Sequence, residues 1–191
     1  MKGKIIFLNG GSSTGKTTLA RTLQLRLPEH FYWLDYDNFI QMAVEKPGQI
    51  TDPHKFFQKG KDPVTILFQT IKLFSDLGVN VISEGWFFRP FPKEIKAYET
   101  CVKMLHMYPI LSVLVTCPIE ELHRREIERG NRRIGAAADG LLNIDPNIIY
   151  DIVVDTFNNS KEECADKIIE LLNNTENFTA FKKLWLQYNK N

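Results

Sequence analysis

Apolar residues in this chain fall in short runs separated by stretches of helical spacing. Lys4-Ile5-Ile6-Phe7-Leu8-Asn9 reads as a buried strand, and Thr18-Leu19-Ala20-Arg21-Thr22-Leu23-Gln24-Leu25 as the helix after it. Further strands are expected at 32–36, 80–83, 111–116 and 152–155, with a helix at 64–77 that stops at Gly78. Two more helix starts are marked. Pro118 suits a first helical position, and Ser160-Lys161-Glu162-Glu163 is a capping box. Strands alternating with helices predict βαβ units, hence an α/β fold whose five-stranded parallel sheet is covered on both faces.

Other stretches break this rhythm. The segment 46–63 is rich in turn formers and reads as a loop or small insertion over the active site. Near the end, Ala180, Phe181, Leu184, Trp185 and Tyr188 recur at helical spacing. They predict an appended amphipathic helix, packed on the core or used as an oligomer contact. The expected organisation is one domain over 1–172 and a helical extension over 173–191.

Composition narrows the class. With 191 residues, 43% hydrophobic and 25% charged, the chain suits a single domain with a sizeable core. A net charge of +1 gives no bulk attraction to nucleic acid or a membrane surface, so neither is expected as a partner. Cys101, Cys117 and Cys164 are scattered, odd in number and without metal-ligand spacing, so they read as small buried hydrophobes. The N-terminus runs directly into a strand without the pattern of a signal peptide, and no apolar run approaches membrane-spanning length. A cytoplasmic location is expected.

The chemistry starts between the first strand and the first helix. Gly10-Gly11-Ser12-Ser13-Thr14-Gly15-Lys16-Thr17 fits G-x-x-x-x-G-K-[ST] in full. Glycines let the backbone curl so that successive N–H groups face one anion, and the helix N-terminus adds partial positive charge. Gly10 to Thr18 are therefore expected to cradle the phosphates of ATP. Lys16 reaches the β- and γ-phosphates and the Thr17 hydroxyl binds Mg²⁺. The motif makes the expected architecture the three-layer P-loop NTPase fold.

In a parallel sheet, ligands sit at the carboxyl ends of the strands, which directs attention to the residues just after each one. Asp37 follows the second strand and can take the proton of an acceptor hydroxyl as that oxygen attacks phosphorus. It also suits a helix N-cap before Asn38. Asp35, two positions earlier, is a weaker candidate for the same role. Glu84 follows the third strand, where a carboxylate can serve Mg²⁺ or its water shell. Trp86, Phe87 and Phe88 come next and either line an acceptor pocket, together with Phe56, or belong to the core. After the fourth strand, Arg125 and Arg129 share a helix face, and Arg132 continues the row. Such guanidinium groups bind phosphate oxygens and stabilise a transferring phosphoryl group, or they pair with acids such as Glu121 on a solvated face. Gly130 and Gly135 suit a mobile lid over 125–140.

These segments together resemble the chloramphenicol phosphotransferase-like family of P-loop kinases, from Ile5 to about Ile169. The carrying residues are Asn9-Gly10-Gly11-Ser12-Ser13 and the rest of the loop, Asp37-Asn38-Phe39-Ile40, Arg125 to Arg132, and Tyr150-Asp151-Ile152-Val153-Val154-Asp155-Thr156. The resemblance implies ATP-dependent phosphorylation of a small-molecule hydroxyl, with the 3-hydroxyl of chloramphenicol as the family's named acceptor. It implies that Asp37 is the catalytic aspartate and Arg125, Arg129 and Arg132 the lid arginines. The chain departs from the family in Ser83-Glu84, where two acids are expected, in 45–61, in the aromatic run at Trp86 and in everything from Asn173 on. Those departures leave two other readings open: a kinase of a nucleoside, sugar or cell-wall precursor, and a nucleotide-binding regulatory NTPase with no acceptor.

Overall fold

A computed structural model describes residues 1–43, 62–85, 97–130, 135 and 147–189. In chain order the described elements are β1 (Ile5–Asn9), α1 (Lys16–Arg26), β2 (Phe31–Asp35), α2 (Tyr36–Ala43), α3 (Pro63–Asp76), β3 (Asn80–Gly85) and α4 (Ala97–Leu105). They continue as β4 (Ile110–Thr116), α5 (Ile119–Arg129), β5 (Ile152–Asp155), α6 (Lys161–Leu172), a 3-10 turn (Thr175–Asn177) and α7 (Ala180–Tyr188). All five strands are parallel, in the order β2-β3-β1-β4-β5.

The sheet carries an apolar layer on each side because its side chains alternate. Ile6 and Leu8 lie with Ile82, Leu111, Val113 and Val115 against α1 and α6. Ile5 and Phe7 lie with Val81 and Ile110 against α3, α4 and α7. Phe7 meets the rings of Phe68, Tyr98 and Phe181 at 6.3, 6.2 and 5.8 Å. Phe181 and Leu184 of α7 are fully buried there, so the amphipathic C-terminal helix spends its apolar face on the core, the first of its two expected uses. The three cysteines are buried and free.

Element ends differ from expectation by a residue or so, each for a visible reason. Tyr36 opens α2 rather than closing β2, because the Asp35 carboxylate accepts the Asp37 N–H at 2.9 Å and turns the chain into a helix. Asp35, not Asp37, is thus the capping residue. Pro118 stands at the N-cap and α5 begins at Ile119. Asp62 caps α3 through the Thr65 N–H and Pro63 follows it. The capping box at Ser160 and Glu163 is formed in both directions. The segment 46–61 falls outside the described residues.

Candidate active site

β1 delivers the chain to the middle of the sheet, and the loop from Gly10 to Gly15 carries it into α1. Two residues of this loop have positive φ: Ser13 at 61° and Gly15 at 92°. Gly15 is the N-cap of α1 in a left-handed conformation, where a side chain would be strained. Gly10 is fixed by space instead, since a Cβ there would lie 2.5 Å from the Val115 carbonyl oxygen. The Thr14 hydroxyl donates to the Gly11 carbonyl at 3.0 Å and tightens the loop. Lys16 bends back over it, its ammonium donating to the Gly10 and Gly11 carbonyls at 2.9 and 2.7 Å. The strand, loop and helix therefore bring Gly10 through Lys16 into the arrangement that the sequence predicts, with Thr17 and Thr18 in the first turn of α1.

Three carboxylates come with the neighbouring strands. Register pairs Leu8 with Glu84 and Glu84 with Asp35, so both acids lie on the α1 side of the sheet at its carboxyl end. Glu84 is 3% exposed, and its Oε2 accepts the Thr17 hydroxyl at 3.1 Å. Its Oε1 is buried with no hydrogen-bond partner among the described residues. Burial is the main reason that the Glu84 carboxyl is pushed up to about 7; the Lys16 ammonium pulls it down and the Asp35 charge adds to the rise. A buried carboxylate with one spare oxygen, held against a hydroxyl at the P-loop, offers the hard oxygen donors that Mg²⁺ prefers. Asp37 stands exposed in the first turn of α2, at the same end of the sheet.

On the opposite flank, α5 leans on the loop. The Arg125 guanidinium donates to the Ser13 carbonyl at 3.4 Å, to the Thr156 hydroxyl at 3.0 Å and to the Thr156 carbonyl at 2.9 Å. It also pairs with Glu121 at 2.8 Å, so the expected phosphate-side position and the expected intrahelical pair coexist. Arg124 and Arg125 hold the Glu121 carboxyl down to about 2. Thr156, just past β5, donates to the Thr14 carbonyl at 2.8 Å. No role was foreseen for it, although the rule of strand ends points to that position. Glu126 is 1% exposed and accepts the Gly135 N–H at 2.9 Å, which closes the chain back onto α5. Gly130 and Gly135 both have positive φ. Arg132, Trp86, Phe87 and Phe56, and the side chain of Arg129, lie outside the described residues.

Known proteins resemble this chain in sequence and in fold. A Mycobacterium tuberculosis protein, named as an O-phosphotransferase whose activity is unproven, is 28% identical over 88% of this chain and 82% of its own length. The adenylyl-sulfate kinase of Clostridium acetobutylicum is 27% identical over 90% of this chain and 84% of its own. Among solved structures, the Mycobacterium tuberculosis APS kinase CysC in complex with AMPPNP and APS superposes with a TM-score of 0.64. It is 18% identical, over 91% of this chain and 99% of that one. Shikimate kinase from Acinetobacter baumannii in complex with shikimate gives a TM-score of 0.60 at 20% identity, over 89% and 93%. These two establish the fold as that of P-loop kinases. The family model described as chloramphenicol phosphotransferase-like protein matches residues 3–173, and the chain belongs to that family.

Proposed function

We propose that this phosphotransferase moves the γ-phosphoryl group of ATP to a hydroxyl of a small molecule. The observation that carries the reading is the pairing of Thr17 with Glu84 beneath a loop whose lysine already lies over its backbone. Thr17 and Glu84 are the residues that would hold Mg²⁺, which when bound neutralises charge on the β- and γ-phosphates. The N–H groups of the P-loop and the Lys16 ammonium bind the same phosphates. Lys16 exchanges its carbonyl partners for phosphate oxygens when nucleotide arrives.

Asp37 acts as the base. The acceptor oxygen attacks the γ-phosphorus, the bond from that phosphorus to the β,γ-bridging oxygen breaks, ADP leaves, and the hydroxyl proton passes to the Asp37 carboxylate. Asp37 is favoured over Asp35 because it is exposed, whereas Asp35 already caps α2. Arg125 acts from the flank of the loop. Arg129 and Arg132, in the stretch 125–140 that the sequence marks as a lid, are assigned to stabilising charge on the phosphoryl group in transit. Trp86, Phe87 and Phe56 are assigned to the acceptor pocket. Chloramphenicol is the first acceptor to test, and drug resistance is the role that would follow. ATP as donor suits the cytoplasm, and among the described residues no helix is long and apolar enough to cross a membrane.

The test is transfer of labelled γ-phosphate from ATP-Mg²⁺ to chloramphenicol beside nucleosides, sugars and aminoglycosides, with Asp37→Asn and Asp35→Asn in parallel. Labelling should fall at least ~100-fold in Asp37→Asn with ATP still bound. Labelling of another acceptor keeps the mechanism and replaces the substrate. ATP turnover indifferent to every acceptor favours the regulatory NTPase.

A further inference from the structure

The last residue of β1 lies on the face of the sheet away from α1. Alternation puts Asn9 on the side of Ile5 and Phe7, opposite α1, and it is completely buried. There its amide bridges two distant parts of the chain. Oδ1 accepts the Gly10 N–H at 3.1 Å, and Nδ2 donates to the Tyr150 hydroxyl at 3.1 Å across 141 residues of sequence. A buried amide is stable only with its polar groups paired. The Gly10 N–H can only donate and so turns the amide oxygen toward itself, while the Tyr150 oxygen accepts from the amide nitrogen on the other side.

The Gly10 backbone is closely packed. A Cβ at Gly10 would lie 2.5 Å from the Val115 carbonyl oxygen and 2.9 Å from the Thr14 hydroxyl, and the Gly10 carbonyl accepts the Lys16 ammonium at 2.9 Å. The contacts run from Tyr150 to Asn9, to the first loop peptide, to the phosphate-binding lysine. Tyr150 is itself held. Its ring meets that of Tyr98 edge-on at 6.5 Å. The Asp151 carboxylate next to it accepts the Ser112, Thr179 and Ala180 N–H groups, each at 2.8 Å. Those bonds fasten it to β4 and to the start of α7.

We propose that Tyr150 is a positioning residue for nucleotide binding, acting through Asn9 and Gly10 to hold the P-loop and Lys16 ready for phosphates. The inference rests on the P-loop being the ATP site. It concerns how the loop is held and not the chemistry of transfer.

The experiment measures the dissociation constant of AMPPNP-Mg²⁺ by calorimetry on the full chain, with melting temperatures beside it. Tyr150→Phe should weaken binding about 3–10-fold. Asn9→Ala should weaken it as well, and in the Asn9→Ala background Tyr150→Phe should add nothing further. Tyr98→Phe removes a hydroxyl from the same cluster, where it bonds the Ser112 hydroxyl at 3.2 Å. It should lower the melting temperature and leave the constant unchanged. Unchanged binding in Tyr150→Phe overturns the proposal, and so does additivity of the Tyr150 and Asn9 changes. A wild-type chain that binds no nucleotide overturns the ATP reading, and this proposal with it.

Discussion

The Thr17 hydroxyl donates to the Glu84 carboxylate at 3.1 Å, joining the first turn of α1 to the carboxyl end of β3. Glu84 is buried, yet one of its oxygens has no partner among the described residues. In water such an oxygen would be hydrated, and leaving it bare in the interior is costly. A cation or a proton at that oxygen would lower the cost of burying the charge.

Its pH dependence follows. The Glu84 carboxyl titrates at about 7 in the folded chain against an ordinary value of 4.5, so the folded state holds the proton that the unfolded state has lost. Stability is full below pH 4.5, falls as pH rises through about 7 and levels off above it. Glu84→Gln removes the penalty. With EDTA and no nucleotide, this variant should be more stable than wild type at pH 8 by on the order of 2–3 kcal/mol. The advantage should vanish near pH 4.5. Denaturant titrations at several pH values measure it, and a difference that does not vary with pH sinks the idea.

Lys16→Ala tests the phosphate role of the lysine. Its ammonium lies over the Gly10 and Gly11 carbonyls at 2.9 and 2.7 Å, so its loss removes positive charge from the loop without opening the core. ATP use should drop by about 100-fold or more, equally for every acceptor labelled. Steady-state kinetics with two acceptors decides. A loss confined to one of them would place Lys16 on the acceptor side.

Arg125→Lys separates bracing of the loop from simple charge. Lysine keeps the charge but cannot reproduce the planar fork that spans Ser13 and Thr156. The variant should bind AMPPNP-Mg²⁺ about 3–10-fold more weakly. It should also lose on the order of 1 kcal/mol of stability, since the Ser13 and Thr156 carbonyls lose a donor. Wild-type affinity in calorimetry would assign Arg125 to the solvated helix face with Glu121.

Much of this was legible in the sequence, and the rest was hidden for identifiable reasons. The strands could be read because runs such as 111–116 are short and mostly apolar, with Leu111, Val113 and Val115 all buried on one face. The P-loop was legible because it is local: every residue of the cradle lies within one turn of its neighbours. The cap at Asp35 instead of Asp37 was not, because either carboxylate can cap and the choice rests on where the chain leaves β2. Arg125 was found by its spacing, but its hold on Ser13 spans 112 residues. The Asn9–Tyr150 bond spans more, and neither residue type signals it alone.

The C-terminal helix supplies the last prediction. The family match ends at residue 173, yet Phe181 of α7 is 1% exposed and sits against Phe7 of the central strand at 5.8 Å and Tyr98 of α4 at 5.9 Å. Phe7 leads directly to Asn9 and the loop, so a cavity here opens beneath the strand that carries the site. Phe181→Ala should cost about 3–5 kcal/mol, and Phe181→Leu less than half of that because most of the volume is kept. Removing residues 173–191 should cost more still and leave Phe7 and Tyr98 exposed. Urea titrations of the three variants measure the order. A truncated chain as stable as the full one would make α7 an appendage rather than part of the core.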